Sequence, residues 1–110
     1  MRDDLKNQEI QIRHRTKAKR DRFTAVTVSE WTIIETYAPV DCTDEPKREE
    51  FYEDLNFVIE ECRQAYPRNK MVVMGDMNAN VVGYYSEDTN DNGRLLLQTC
   101  RDQALAIAPF

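Results

Sequence analysis

Met71-Val72-Val73-Met74-Gly75-Asp76-Met77-Asn78-Ala79 is the stretch on which the fold turns. Four apolar residues in a row, too few for a helix and closed by Gly-Asp, read as a strand buried on both faces and central in its sheet. Upstream, Phe51, Leu55, Val58, Ile59 and Cys62 recur at the spacing of an apolar stripe on a 3.6-residue helix that packs by one face against that sheet. Asp44 suits the N-cap, with its carboxylate accepting from a first-turn amide. Pro46 sits in the first turn, where a missing donor does no harm, and Glu49 and Glu50 suit the early helix. Pro67 and Asn69 end the helix after about twenty residues.

Before that helix, Phe23 to Val28 and Trp31 to Tyr37 are rich in β-branched and aromatic residues and predict two strands. The Ser29-Glu30 link suits a hairpin, although it lacks the glycine or asparagine that favours a tight turn. Pro39 ends the second strand, because it has no N–H to give a ladder. After Asp76, Val81 to Asn92 reads as a polar loop of the kind that carries function. Arg94 to Gln103 predicts a second helix offering Leu96, Leu97 and Cys100 to the core, and Leu105-Ala106-Ile107 predicts the start of one more strand. Residues 1–20 show no period and predict a basic, irregular segment ahead of a core portion over residues 21–110. The expectation is one α/β domain.

Composition narrows the class. At 110 residues, with 41% hydrophobic and 32% charged residues, the chain is long enough for one core and not for two. No apolar run approaches the roughly 20 residues that cross a bilayer, and Met1 to Ile10 lacks the apolar centre of a secretory signal. An intracellular protein is expected, nuclear or cytoplasmic. Cys42, Cys62 and Cys100 are odd in number and form no Cys-x-x-Cys pair, which fits reduced thiols, with Cys62 on the buried face of its helix. Net charge is −5, yet residues 1–22 hold eight Lys/Arg against four Asp/Glu. The cluster Arg13, Arg15, Lys17, Lys19, Arg20 and Arg22 suits the phosphates of a nucleic acid, and it suits a solvated loop equally.

Chemistry concentrates at Gly75-Asp76-Met77-Asn78-Ala79. An aspartate and an asparagine two residues apart, just past a strand, can face one cleft from a rigid base. Asp76 can accept from a water or coordinate Mg²⁺, and Asn78 can donate to a phosphate oxygen. The same residue types also make an ordinary strand-to-loop turn.

The order Ile33-Ile34-Glu35-Thr36-Tyr37-Ala38-Pro39, a helix, Gly-Asp-x-Asn-Ala and then Asn90-Asp91-Asn92-Gly93-Arg94 is more specific. It resembles the endonuclease/exonuclease/phosphatase family. Closest are the apurinic-endonuclease-type domains of non-LTR retrotransposons and craniofacial development protein 2-like sequences, over roughly Phe23 to Ile107. The resemblance implies part of a four-layer α/β sandwich, cut at both ends, and a Mg²⁺- or Mn²⁺-dependent phosphodiester hydrolase acting on DNA. It implies that Tyr37 lies beside the scissile phosphate, that Asp76 orients and deprotonates the attacking water and contacts the metal, and that Asn78 stabilises the transition state. Asn92 is either a substrate-binding residue or a loop residue capping the following helix. Met77 stands where the family usually has an aromatic residue.

The family's metal-binding glutamate and its Ser-Asp-His segment have no counterpart here, and His14 matches no family motif. The expected isolated chain is therefore inactive, binds metal weakly and self-associates through an exposed sheet face. The alternative from another class is a non-catalytic remnant that binds protein or nucleic acid through that sheet and the basic arm.

Overall fold

The two strands and the helix that follows them assemble as a hairpin crossing over to a parallel strand. A computed structural model describes residues 8–9, 22–39, 44–79, 81 and 88–108. Its elements in chain order are β1 (Gln8–Glu9), β2 (Phe23–Val28), β3 (Trp31–Tyr37), α1 (Glu45–Ala65), β4 (Lys70–Asp76) and α2 (Asp91–Gln103). They form a small α/β fold with one mixed sheet in the order β1-β2-β3-β4. β2 pairs antiparallel with β3 and with the short β1, while β3 and β4 run parallel with α1 as the crossover. Ser29 supplies the turn geometry that the link needs, with φ +55 at the first of the two hairpin residues.

Alternation decides which face is covered. Phe23, Ala25 and Thr27 of β2 and Thr32, Ile34 and Thr36 of β3 are buried, and the residues between them are more exposed. Against that face α1 lays Phe51, Leu55, Val58, Ile59 and Cys62, the stripe expected from the sequence, all buried. The Phe23 and Phe51 rings stack with centroids 5.4 Å apart, and Tyr52 meets Phe51 edge-on at 5.0 Å. The three threonines on the covered face are an oddity of this core. Thr36 Oγ1 donates to the Arg22 carbonyl at 3.0 Å, and Thr32 Oγ1 accepts from the Asn69 amide at 3.2 Å.

α2 lies beside α1, tied by polar contacts. Arg63 donates to Gln103 Oε1 at 3.0 Å, the Gln103 amide donates to Asn56 Oδ1 at 2.9 Å, and Arg48 pairs with Asp91 at 3.2 Å. Past the helix, Ala104 adopts the left-handed conformation and Leu105 N–H donates to the Cys100 carbonyl at 2.8 Å, the Schellman arrangement with alanine in place of glycine.

Several expectations are corrected. β4 is not central and not buried on both faces: among the described residues it forms the edge of the sheet, half-buried from Met71 to Val73 and exposed from Met74 onward. A continuous apolar run reports only that both faces tolerate burial, not that a neighbour is present. Leu105 to Ile107 forms no strand; it runs past β4 and lines a groove beside it. The Asp44 side chain makes no cap hydrogen bond; its carbonyl instead accepts from Lys47 and Arg48. α2 begins at Asp91, three residues before the expected Arg94, and its fully buried residues are Asn92, Gly93, Thr99 and Gln103, while Leu96, Leu97 and Cys100 are half-buried. Gln8 and Glu9 pair with β2 within a segment expected to be irregular. Cys42, His14 and the cluster from Arg13 to Arg20 lie outside the described residues. Among those described, no helix is long and apolar enough to cross a membrane.

Burial, and secondarily the charge of Glu61, pushes the Cys62 thiol from its ordinary 9.0 up to about 11. The unfolded chain therefore ionises this thiol first. Its contribution to stability is complete below pH 9 and is lost as pH rises through the folded value near 11. Urea unfolding at about pH 8 and about pH 10 should show a larger alkaline loss for the wild type than for Cys62→Ala. Equal losses would place the thiol in contact with water.

Candidate functional site

The carboxyl ends of β3 and β4 meet in register, and that meeting brings the motif residues together. Parallel pairing sets Thr36 opposite Gly75 and Tyr37 opposite Asp76. Gly75 takes φ +131, a conformation L side chains rarely adopt, and a Cβ there would lie 1.9 Å from the Thr36 carbonyl oxygen. No other residue lets the strands close at this point. Beyond the ladder, Ala38 N–H donates to the Asp76 carbonyl at 2.8 Å, so the two chains leave the sheet side by side. Open α/β sheets bind ligands at this end of their strands.

Asp76 and Asn78 share a tight turn. Asn78 N–H donates to Asp76 Oδ1 at 3.0 Å, with Asn78 itself at φ +47. Asp76 is exposed, and its carboxylate retains lone pairs for a water or a cation. The Asn78 amide donates to the Ala38 carbonyl at 2.8 Å, which binds the motif loop to the end of β3. Tyr37 is 58% exposed and open to a ligand from solvent. The Arg22 guanidinium lies 5.8 Å from the Tyr37 ring centroid and donates to the Tyr37 carbonyl at 2.8 Å.

Asn92 stands apart from the other three. Its side chain is fully buried in the first turn of α2, donating to the Pro39 carbonyl at 2.9 Å and to the Asn78 carbonyl at 3.0 Å. It is neither a surface ligand nor the helix cap in this arrangement; it is a tie between the two loops. The cap is Asn90, whose Oδ1 accepts from Gly93 N–H at 2.8 Å while its amide reaches the Asn78 carbonyl at 3.3 Å. The structure thus brings Tyr37, Asp76 and Asn78 to one edge and puts Asn92 beneath them.

Two contributors escaped sequence reasoning. Asn90 was legible in principle, as a cap residue followed by an acidic first turn at Asp91. Nothing local marked Arg22 out from the rest of its basic cluster; only the β2–β3 pairing carries it to Tyr37.

Compared with known proteins, the chain matches no family model, no curated protein and no solved structure. The chemistry open to the site therefore rests on its own donor set. Mg²⁺ takes near-octahedral oxygen and is commonly held by one or two carboxylates together with waters and substrate phosphate. Asp76 fits as one such ligand. Among the described residues no group of three or more His, Cys, Asp or Glu converges to hold an ion without a substrate.

Two substitutions check this geometry. Gly75→Ala should cost about 3 kcal/mol or more in urea unfolding, because backbone conformation and contact are both violated. Asn92→Ala should cost about 1–2 kcal/mol by taking the donor from the Pro39 carbonyl and leaving the Asn78 carbonyl to the longer bond from the Asn90 amide, and should move the Asn78 amide resonance. An unchanged Asn78 resonance would show that the tie does not hold the loop.

Proposed function

We propose that this chain carries part of a Mg²⁺-dependent phosphodiester hydrolase site of the endonuclease/exonuclease/phosphatase type, with DNA as the substrate class. The observation that carries the reading is the side-by-side placement of Tyr37 and Asp76 at the carboxyl edge, with Asn78 locked in the following turn. The sheet with its helices then corresponds to one half of a four-layer sandwich, and the sequence resemblance points the same way.

In this reading Asp76 orients a water and accepts its proton as the oxygen attacks phosphorus. The P–O bond to the leaving group breaks, and the departing oxygen is protonated from solvent, so one water is consumed per ester cleaved. Asn78 stabilises the phosphorane-like oxygens by donating to them, which requires the amide hydrogen not given to Ala38. Tyr37 flanks the phosphate, and Arg22 beside it supplies positive charge at the same edge. A bound Mg²⁺ would neutralise charge developing on the phosphate, with Asp76 as its protein ligand. Asn92 contributes by position, holding the Asn78 backbone from below.

The second reading, an interaction module without catalysis, draws on the edge of β4, which no further strand among the described residues pairs, and on the apolar groove next to it.

Titrating Mn²⁺ into the chain should broaden the amide signals of Asp76 and Asn78 with roughly millimolar affinity, an effect lost in Asp76→Ala. Broadening centred elsewhere and unaffected by that change would remove Asp76 from the metal. Residues that act as a unit lose most of their benefit together. With no counterpart to the family's glutamate and histidine, the 110-residue chain should not nick supercoiled plasmid above background. Duplex DNA binding should weaken in Arg22→Gln, with a shallower salt dependence. Nicking that disappears in Asp76→Ala would mean that residues of this chain replace the missing pair.

A further inference from the structure

We propose that the outer edge of β4 is a homodimer interface, where the strand pairs antiparallel with β4 of a second copy about Val73. The edge carries no paired strand among the described residues. The orientation of its backbone groups follows from two hydrogen bonds at the strand's ends: Lys70 N–H donates to the Glu30 carbonyl at 2.9 Å, and the Asp76 carbonyl accepts from Ala38 at 2.8 Å. Even-numbered residues therefore address β3. Because directions alternate along a strand, Met71 and Val73 turn their N–H and C=O groups outward.

A twofold axis must join outward residues to outward residues. Centred on Val73, it sets Val73 against itself and Met71 against Gly75, and it leaves the β3 ladder intact. The same register places Val72 against Met74 and Lys70 against Asp76, at both ends of the ribbon. Lys70 and Asp76 are both exposed and share the face of the sheet that α1 leaves uncovered. A slip of two residues would set Lys70 opposite Met74 or Asp76 opposite Val72, so charge and hydrogen bonding select one register between them.

The chemistry of the edge suits this occupant. Met71, Val72, Val73 and Met74 are apolar on both faces, and Met74 is 47% exposed. The strand has neither a proline nor an internal charge to discourage pairing, the usual protections of an open edge. On the helix side the edge borders an apolar groove of about 460 Å³ lined by Leu55, Ile59, Met71, Val73, Leu96 and Ile107. Dimerisation sets the two grooves side by side across the axis. The inference does not rest on the phosphodiester reading, although both use the Asp76 carboxylate, which in the dimer faces Lys70 of the second copy.

Sedimentation equilibrium on the chain and its charge variants tests it. The wild type should dimerise, and K70D and D76K should each weaken dimerisation about tenfold or more by placing like charges opposite one another at both ends. Mixing the two variants should restore association as a heterodimer, since each then meets its opposite charge, and the K70D/D76K double variant should dimerise with itself. In a wild-type sample of mixed isotope labelling, intermolecular contacts should join Val72 to Met74 without any substitution. A wild type monomeric up to about millimolar concentration would overturn the proposal. So would a dimer with its intermolecular contacts elsewhere, or variants that associate equally well alone and mixed.

Discussion

The approach of Gly75 to the Thr36 carbonyl is the contact from which the carboxyl edge of the sheet is built. A parallel pair cannot be closed by a hairpin, so β3 and β4 find their register only through α1 and the core beneath it. Once Ile34 and Val73 are set side by side by that core, Gly75 must pass Thr36 at a distance no side chain allows. The conformation that permits this passage then turns the chain into Asp76. A backbone conformation that only glycine takes easily is held by the surrounding ladder, and the exposed carboxylate is placed as a consequence.

Below that edge the interior is unusually polar, and its polarity is organised around carbonyl groups. Ala38, Pro39 and Asn78 leave the sheet with carbonyls that no strand can serve, and the amides of Asn78, Asn90 and Asn92 serve them. An asparagine can give two hydrogens from one buried nitrogen, which is why this residue type recurs where two loops converge. The start of α2 is tied into the same network, so the loop that carries Asp76 and Asn78 is fixed from three sides. A loop held this way approaches the rigidity of the elements beside it.

The opposite property belongs to the outer edge of β4. α1 and α2 cover one face of the sheet, and their side-by-side contact is mediated largely by Arg63, Gln103, Asn56, Arg48 and Asp91. Apolar surface that a larger helix pair would have covered is left in the groove along the strand. The fold thus concentrates its ordered polar groups at one end of β4 and its uncovered apolar groups along the strand's length.

Local pattern determined much of this protein. The stripe from Phe51 to Cys62 settled α1 and its buried face, the β-branched and aromatic content of Phe23 to Val28 and Trp31 to Tyr37 settled β2 and β3, and Gly75-Asp76 marked the end of β4. These were legible because helix period and strand propensity are local, and because glycine, aspartate and asparagine tolerate the backbone angles at which a strand turns into a loop. Only the tertiary structure decided that β4 lies at the edge of the sheet among the described residues, since its neighbours are chosen by residues far away in the chain. The same holds for Asn92, whose burial follows from the docking of α2 over the ends of two strands, and for Arg22, which reaches Tyr37 through the β2–β3 pairing. A sequence states which groups a residue can offer, and the packing of distant segments decides which of those groups meet water.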